Sequence, residues 1–164
     1  MEIAVILYNV RSLHNVGSVF RTADGAGVKV LYLCGFTPSV VDRFNKTRPQ
    51  IAKTALGAER FVHWEKVLKI DPLIRRLKDD GYMILAIEQA KKSLPYYAFK
   101  PKRGAKIALI FGNEVRGIPP AVLKKSDQIL EIPMCGKKES LNVSVAAGVA
   151  LFGIIYLIRS RTQT

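Results

Sequence analysis

The chain has 164 residues, 49% of them hydrophobic, enough to bury one substantial core but too few for two independent ones. Its 26 Lys and Arg against 13 Asp and Glu give a formal charge of +13, which favours a polyanionic partner, nucleic acid first. Two cysteines, Cys34 and Cys135, exclude a disulfide framework and a cysteine-rich metal site, and both read as small buried hydrophobes.

In chain order, short apolar runs rich in β-branched residues fall at 3–8, 28–33, 82–87, 107–111 and 128–132. Continuous runs of this length suit strands buried on both faces, as in a parallel sheet. Helix-like segments lie between and after them at 14–26, 65–79 and 141–158, with a weaker one at 49–57. The alternation predicts an α/β fold, a mostly parallel sheet flanked by helices, in one domain spanning 1–164.

Gly25-Ala26-Gly27 has the look of a dinucleotide-binding turn, but it follows a helix and precedes a strand, so it is read as a helix C-cap. No Gly-rich loop ends in Lys-Ser or Lys-Thr, which disfavours a phosphate-cradling NTPase. The stretch 91–106 holds two prolines, two tyrosines and six Lys or Arg, and reads as a solvated or RNA-facing loop. Basic clusters recur at 43–53 and at Lys137-Lys138. The apolar run 143–158 is shorter than the roughly 20 residues a membrane span needs, contains Ser144 and leads to Arg159 and Arg161. It is read as a buried helix, and with no export leader before residue 3 the expected location is the cytoplasm. Being apolar nearly all round, that helix needs cover on more than one side. Val145, Val149, Phe152, Ile155 and Tyr156 are candidates for burial shared between the sheet and a partner.

Three segments carry candidate chemistry. The first, Asn9 through Arg21, joins the first strand to the first helix, where Asn15, Gly17 and Arg21 stand near exposed backbone N–H groups able to receive a phosphate. The same residues read equally as an Asn cap, a helix glycine and a surface Arg. The second, 107–119, runs from a buried strand into a polar turn, Phe111-Gly112-Asn113-Glu114-Val115-Arg116-Gly117. Ligands of open α/β sheets collect at such strand ends, and Gly112 permits close approach to the backbone. Glu114 and Arg116 also read as a solvated loop pair. The third, 132–144, passes from Ile132-Pro133-Met134 through a basic loop to Ser140-Leu141-Asn142-Val143-Ser144. Ser140 reads as an N-cap, while Asn142 and Ser144 are polar groups on an otherwise apolar helix and need partners or a function.

In this order, Asn-x-Gly-x-x-x-Arg, Phe-Gly-x-Glu-x-x-Gly and Ile-Pro-Met followed by Ser-x-Asn-x-Ser, the segments resemble the SpoU/TrmH family of SPOUT RNA methyltransferases across nearly the whole chain. The resemblance implies a C-terminal trefoil knot, a cofactor site for S-adenosylmethionine around Ile87, Gly112, Ile132, Met134, Ser140 and Leu141, and polar active-site positions at Asn15, Arg21, Glu114, Ser140, Asn142 and Ser144. It also implies a homodimer that transfers a methyl group to a ribose 2′-hydroxyl of structured RNA. Transfer RNA is favoured over ribosomal RNA, and no metal is needed. The chain looks like a minimal member holding the catalytic domain alone.

In that picture Arg21 orients a phosphate and stabilises the forming alkoxide, with general base as the alternative; a guanidinium with a pKa above about 12 is a poor proton acceptor. Asn142 and Ser144 orient the ribose or cofactor, and Glu114 positions Arg21 or an adjacent backbone turn. His14 and His63 read as surface or core residues. The competing readings are a non-catalytic RNA-binding member of the fold and an enzyme that methylates a base.

Overall fold

The computed structural model describes residues 1–160. Seven strands, β1 (Glu2–Tyr8), β2 (Val30–Cys34), β3 (Trp64–Val67), β4 (Tyr82–Ile87), β5 (Leu94–Pro95), β6 (Lys106–Phe111) and β7 (Gln128–Glu131), form one sheet in the order β3-β2-β1-β6-β4-β7-β5. Every pairing is parallel, so all strands end on the same side of the sheet. The two-residue period of β1 sends Ile3, Val5 and Leu7 into one core and Ala4 and Ile6 into the other. Helices α1 (Leu13–Ala26), α2 (Pro49–Ala55) and α5 (Val143–Ser160) contribute to the first core, and α3 (Ile70–Asp79) and α4 (Pro120–Leu123) to the second. This is the expected α/β architecture.

Most expected boundaries agree with the structure to within two residues, and the differences have local causes. The segment 65–79, expected as one helix, is β3 followed by α3. Only from Ile70 onward does the helical period appear, in buried Ile70, Leu73, Ile74 and Leu77. The preceding Trp-Glu-Lys-Val is a half-buried edge strand in register with β2, too polar to show as an apolar run. β2 begins at Val30 rather than Val28 because the Val28 N–H is used to close α1, donating to Ala23 O at 2.9 Å. Gly27, at φ 67, makes the left-handed C-cap.

The 91–106 stretch is pinned in its middle by β5, by a turn of 3-10 helix at Tyr96–Ala98 and by buried Phe99. Tyr96 packs so closely on Gly153 of α5 that a Cβ there would lie 2.3 Å from its ring. Cys34 is buried as expected, its thiol pushed up to about 11 by burial, whereas Cys135 is exposed. α5 is long and apolar enough to cross a membrane by length and composition, yet Ala147, Ala150, Leu151, Ile154 and Ile155 bury one side of it in the first core. Val145, Phe152 and Tyr156 remain exposed in the protomer, at 51%, 51% and 71%, and Val149 is half-buried. Arg161, expected to follow that helix, lies outside the described residues.

Candidate active site

The site forms where β4, β6 and β7 end. Their following loops meet around a cavity of about 380 Å³, within the range typical of small-molecule sites. Ile87, Gly112, Ile132, Met134, Ser140 and Leu141, drawn from the three loops, all line it. Phe111, Val143 and Ala146 add apolar wall, while Glu88, Gln89, Glu114 and Glu139 supply polar and acidic rim.

The loop after β6 is built on its own backbone. Asn113 and Gly117 pair as an isolated bridge, with Asn113 N to Gly117 O at 3.3 Å and Gly117 N to Asn113 O at 2.9 Å. Asn113 Oδ1 accepts from the N–H groups of Val115 and Arg116 at 3.0 and 2.9 Å. A Cβ on Gly112 would lie 2.5 Å from the carbonyl carbon of Gly117, so this glycine is demanded first by the loop itself, beyond any ligand. Gly117, at φ 62, leaves room for Glu88, whose Oε2 accepts from Ile118 N at 2.8 Å. On the other side, Gln89 Nε2 donates to Glu139 O at 2.6 Å and ties the β4 loop to the basic loop after β7.

Four of the expected polar residues form one continuous hydrogen-bonded chain. Ser144 donates from N and Oγ to Asn142 Oδ1 at 2.9 and 2.6 Å, and Asn142 Nδ2 donates to Asn15 Oδ1 at 3.1 Å. Asn15 Nδ2 in turn donates to Glu114 Oε1 at 3.2 Å. Glu114 also accepts from Arg11 N, at 3.0 Å to Oε2, and from Ser12 N at 3.0 Å. Partial burial would raise its carboxyl pKa, but these backbone and amide donors outweigh it and hold the group below the ordinary carboxylate range. Glu114 therefore organises the turn before α1, the second of the two roles expected for it, and does not touch Arg21.

Other expectations need correction. Ser12, not Asn15, caps α1, its side chain accepting from Asn15 N at 3.2 Å. Asn142, not Ser140, caps α5, which leaves Ser140 exposed on the cavity wall. Gly17 is buried against α2 and cannot receive a phosphate; a Cβ would meet Thr54 Oγ1 at 2.1 Å and Ile51 O at 2.4 Å. Arg21 is exposed, does not line the cavity, and has no hydrogen bond or ion pair among the described residues.

Sequence reasoning passed over Asn9, Glu88 and Asn113. Asn9 adopts φ 59, accepts from Asn113 Nδ2 through its carbonyl oxygen at 2.8 Å and from Phe36 N through Oδ1 at 3.1 Å, joining three strand ends. The available signal was a polar residue directly after the runs 3–8 and 82–87 and one position further on after 107–111. Among the described residues no group of three or more His, Cys, Asp or Glu is placed to hold a metal ion.

The SpoU rRNA Methylase family model matches residues 2–152. The 23S rRNA (guanosine-2′-O-)-methyltransferase of Ralstonia nicotianae is 34% identical over 149 residues, covering 90% of this chain and 56% of that one. Among solved structures, the AdoMet-bound rRNA methyltransferase from Sinorhizobium meliloti superposes with a TM-score of 0.83 at 27% identity, covering 93% of this chain and 55% of that one. A structure described as giving insight into the 2-OH methylation of C/U34 on tRNA has a TM-score of 0.81 at 28% identity and covers 98% of both chains. The chain spans 55 to 67% of the length of the curated relatives it matches.

Proposed function

From the premise that the chain belongs to the SpoU methylase family, we propose that it transfers a methyl group from S-adenosylmethionine to a ribose 2′-hydroxyl of tRNA. The observation that carries this reading is the meeting of three strand-end loops over one cavity, with Glu114 on its wall starting a hydrogen-bonded chain that runs through Asn15 and Asn142 to Ser144 just outside it. Apolar Ile87, Phe111, Ile132 and Leu141 suit a purine ring, and nearby Glu88, Glu114 and Glu139 suit a sulfonium charge. Threading of the last two loops as a trefoil knot, with residues 1–164 as one catalytic domain, belongs to the same reading.

S-adenosylmethionine, when bound, supplies the activated methyl carbon, so the protein's work is positioning and charge stabilisation. Glu114 fixes the Arg11–Ser12 backbone and orients the Asn15 amide, and Asn15 orients Asn142. Asn142, Ser140 and Ser144 then hold the ribose or cofactor, while Arg21 binds phosphate and stabilises the forming alkoxide. Because Arg21 stands outside the cavity of its own protomer, it serves the cavity of a second copy. The exposed Val145, Phe152 and Tyr156 with half-buried Val149, spaced 4, 3 and 4 along α5, supply an apolar stripe for that homodimer.

Transfer RNA is favoured over ribosomal RNA on the likeness to the structure described for 2-OH methylation of C/U34 on tRNA, at a TM-score of 0.81 and 28% identity. A cytoplasmic location follows from those substrates. The test is transfer of labelled methyl to total tRNA and to rRNA, with nucleoside mass spectrometry of the product. Methylated bases, or no transfer despite cofactor binding, would overturn the reading. Mixing Arg21→Ala with Asn142→Ala protomers should restore activity in heterodimers if Arg21 works across the interface.

A further inference from the structure

Between β2 and α2 the chain forms a loop, residues 35–48, whose middle is held by its own hydrogen bonds. Val41 and Thr47 pair as an isolated antiparallel bridge, and Asp42 N donates to Lys46 O at 2.9 Å. Asp42 Oδ1 accepts from Phe44 N and Lys46 N at 2.8 and 3.0 Å, and Asn45 completes the turn at φ 61, a conformation Asn tolerates. A turn fixed in this way has little freedom left to lose on binding. At its tip it holds Phe44, 67% exposed, with the Arg43 guanidinium 4.7 Å from the ring centroid.

A phenyl ring held in water by a well-bonded turn calls for a partner with a flat apolar face, and the surrounding charge says which. Arg43, Lys46, Arg48 and Lys53 outnumber the one carboxylate of the turn, Asp42, which accepts from the turn's own N–H groups. Aromatic rings set among cations suit unpaired nucleobases, which stack on the ring while their phosphates meet the charges. The loop leaves β2 at the same end of the parallel sheet as the cavity. Asn9 links the two, bonding Phe36 N on one side and the Asn113 side chain of the cavity loop on the other. Phe36, itself 58% exposed, lies on the covalent path between them.

We propose that Phe44, backed by Arg43, is a stacking platform for an unpaired RNA base near the nucleotide to be methylated, so that the protein selects looped RNA over duplex. The inference rests on the RNA reading above and adds a recognition element to it. Base-on-aromatic stacking of this kind corresponds to roughly a 5- to 150-fold change in affinity on truncation to alanine.

The experiment measures binding of a short RNA hairpin with an unpaired loop, and of the blunt duplex of its stem, to the full chain. Phe44→Ala should weaken hairpin binding within that range and leave duplex binding, thermal stability and S-adenosylmethionine affinity unchanged. Phe44→Trp should retain hairpin affinity, and its added fluorescence should be quenched by the hairpin but not by the duplex. Wild-type hairpin affinity in Phe44→Ala, or equal losses on hairpin and duplex, overturns the platform. Lost binding to phosphatidylserine vesicles with intact RNA binding would reassign the loop to a membrane surface. If the wild-type chain itself binds no RNA, the broader RNA reading fails, whereas normal methylation with an indifferent Phe44 sinks only this inference.

Discussion

Two carboxylates at opposite ends of the parallel sheet collect hydrogen bonds in different ways. At the N-terminal end, Glu2 Oε2 accepts from Lys29 Nζ at 2.9 Å and Tyr82 Oη at 3.0 Å, partners that are themselves side chains. At the C-terminal end, Glu114 takes the main-chain N–H groups of Arg11 and Ser12 and the amide of Asn15. The first is a closed group of three side chains that pins strand ends together. The second fixes a stretch of backbone and, through Asn15, orders Asn142 and Ser144 next to the cavity-lining Leu141 and Val143. Both ends are equally well bonded; only one passes its order on to a site.

The largest effect is expected where the ordered end lacks any internal partner. Arg21→Ala should lower single-turnover methyl transfer at saturating RNA and cofactor by roughly a hundred- to thousand-fold, the usual loss for one preorganised donor to developing charge, about 2.7 to 4 kcal/mol. Arg21→Lys keeps the charge but not the planar fork, so it should fall between Ala and wild type. Near-normal rates in Arg21→Ala would remove the arginine from the chemistry.

Next comes the support beneath Glu114. Gly17→Ala places a Cβ 2.4 Å from the Ile51 carbonyl, a backbone atom that cannot simply swing aside. Overpacking of this sort costs about 1 to 3 kcal/mol, and α1 should shift against α2, carrying Asn15 with it. Denaturant titration should give a lower midpoint with an unchanged slope. An unaltered midpoint would mean the two helices are looser than the structure describes.

Glu114→Gln against Glu2→Gln compares the two ends directly. The amide keeps one acceptor but loses the charge, so transfer should fall roughly tenfold, about 1.4 kcal/mol in the barrier, for Glu114→Gln. Glu2→Gln should leave the rate within about twofold, because no link of the Glu114–Asn15–Asn142–Ser144 chain runs through it. Equal losses from both would show that Glu114 contributes only general stability.

This contrast also marks what was legible in the sequence. The buried strands could be read because a parallel sheet covered on both faces writes its pattern as continuous apolar runs. β3 could not, since Glu65 and Lys66 on an edge strand break that pattern, and Glu65 also pairs with Arg76 of α3 through bonds of 2.9 and 3.1 Å. Six residues that line the cavity, from Ile87 to Leu141, were named through the family resemblance. Their connections were not. Whether Gly17 faces a ligand or a neighbouring helix, which backbone Glu114 holds and which amide Asn142 meets all depend on contacts more than 30 residues away in the chain. Periodicity and spacing carry no information about such contacts.

The smallest effect separates the two carboxylates by solvent conditions. Glu2 is held below the ordinary carboxylate range first by the bond from Lys29 and then by Tyr82, whose own hydroxyl burial and Glu2 together push up to about 12. Glu114 is lowered by backbone donors against the opposing effect of burial. For both groups the folded value lies below the unfolded one, so each contributes stability that is present above the usual carboxylate pKa and lost as pH falls through the folded value. Either Gln variant should therefore destabilise at neutral pH and converge on wild type in acid. Salt should distinguish them. At about 1 M the Debye length is near 3 Å, which weakens the exposed Glu2–Lys29 pair while short bonds from fixed backbone N–H groups persist. The neutral-pH penalty of Glu2→Gln should shrink in high salt, and that of Glu114→Gln should stay, as read from denaturant midpoints across a salt series. Identical salt responses would mean that the two carboxylates are held by the same physics after all.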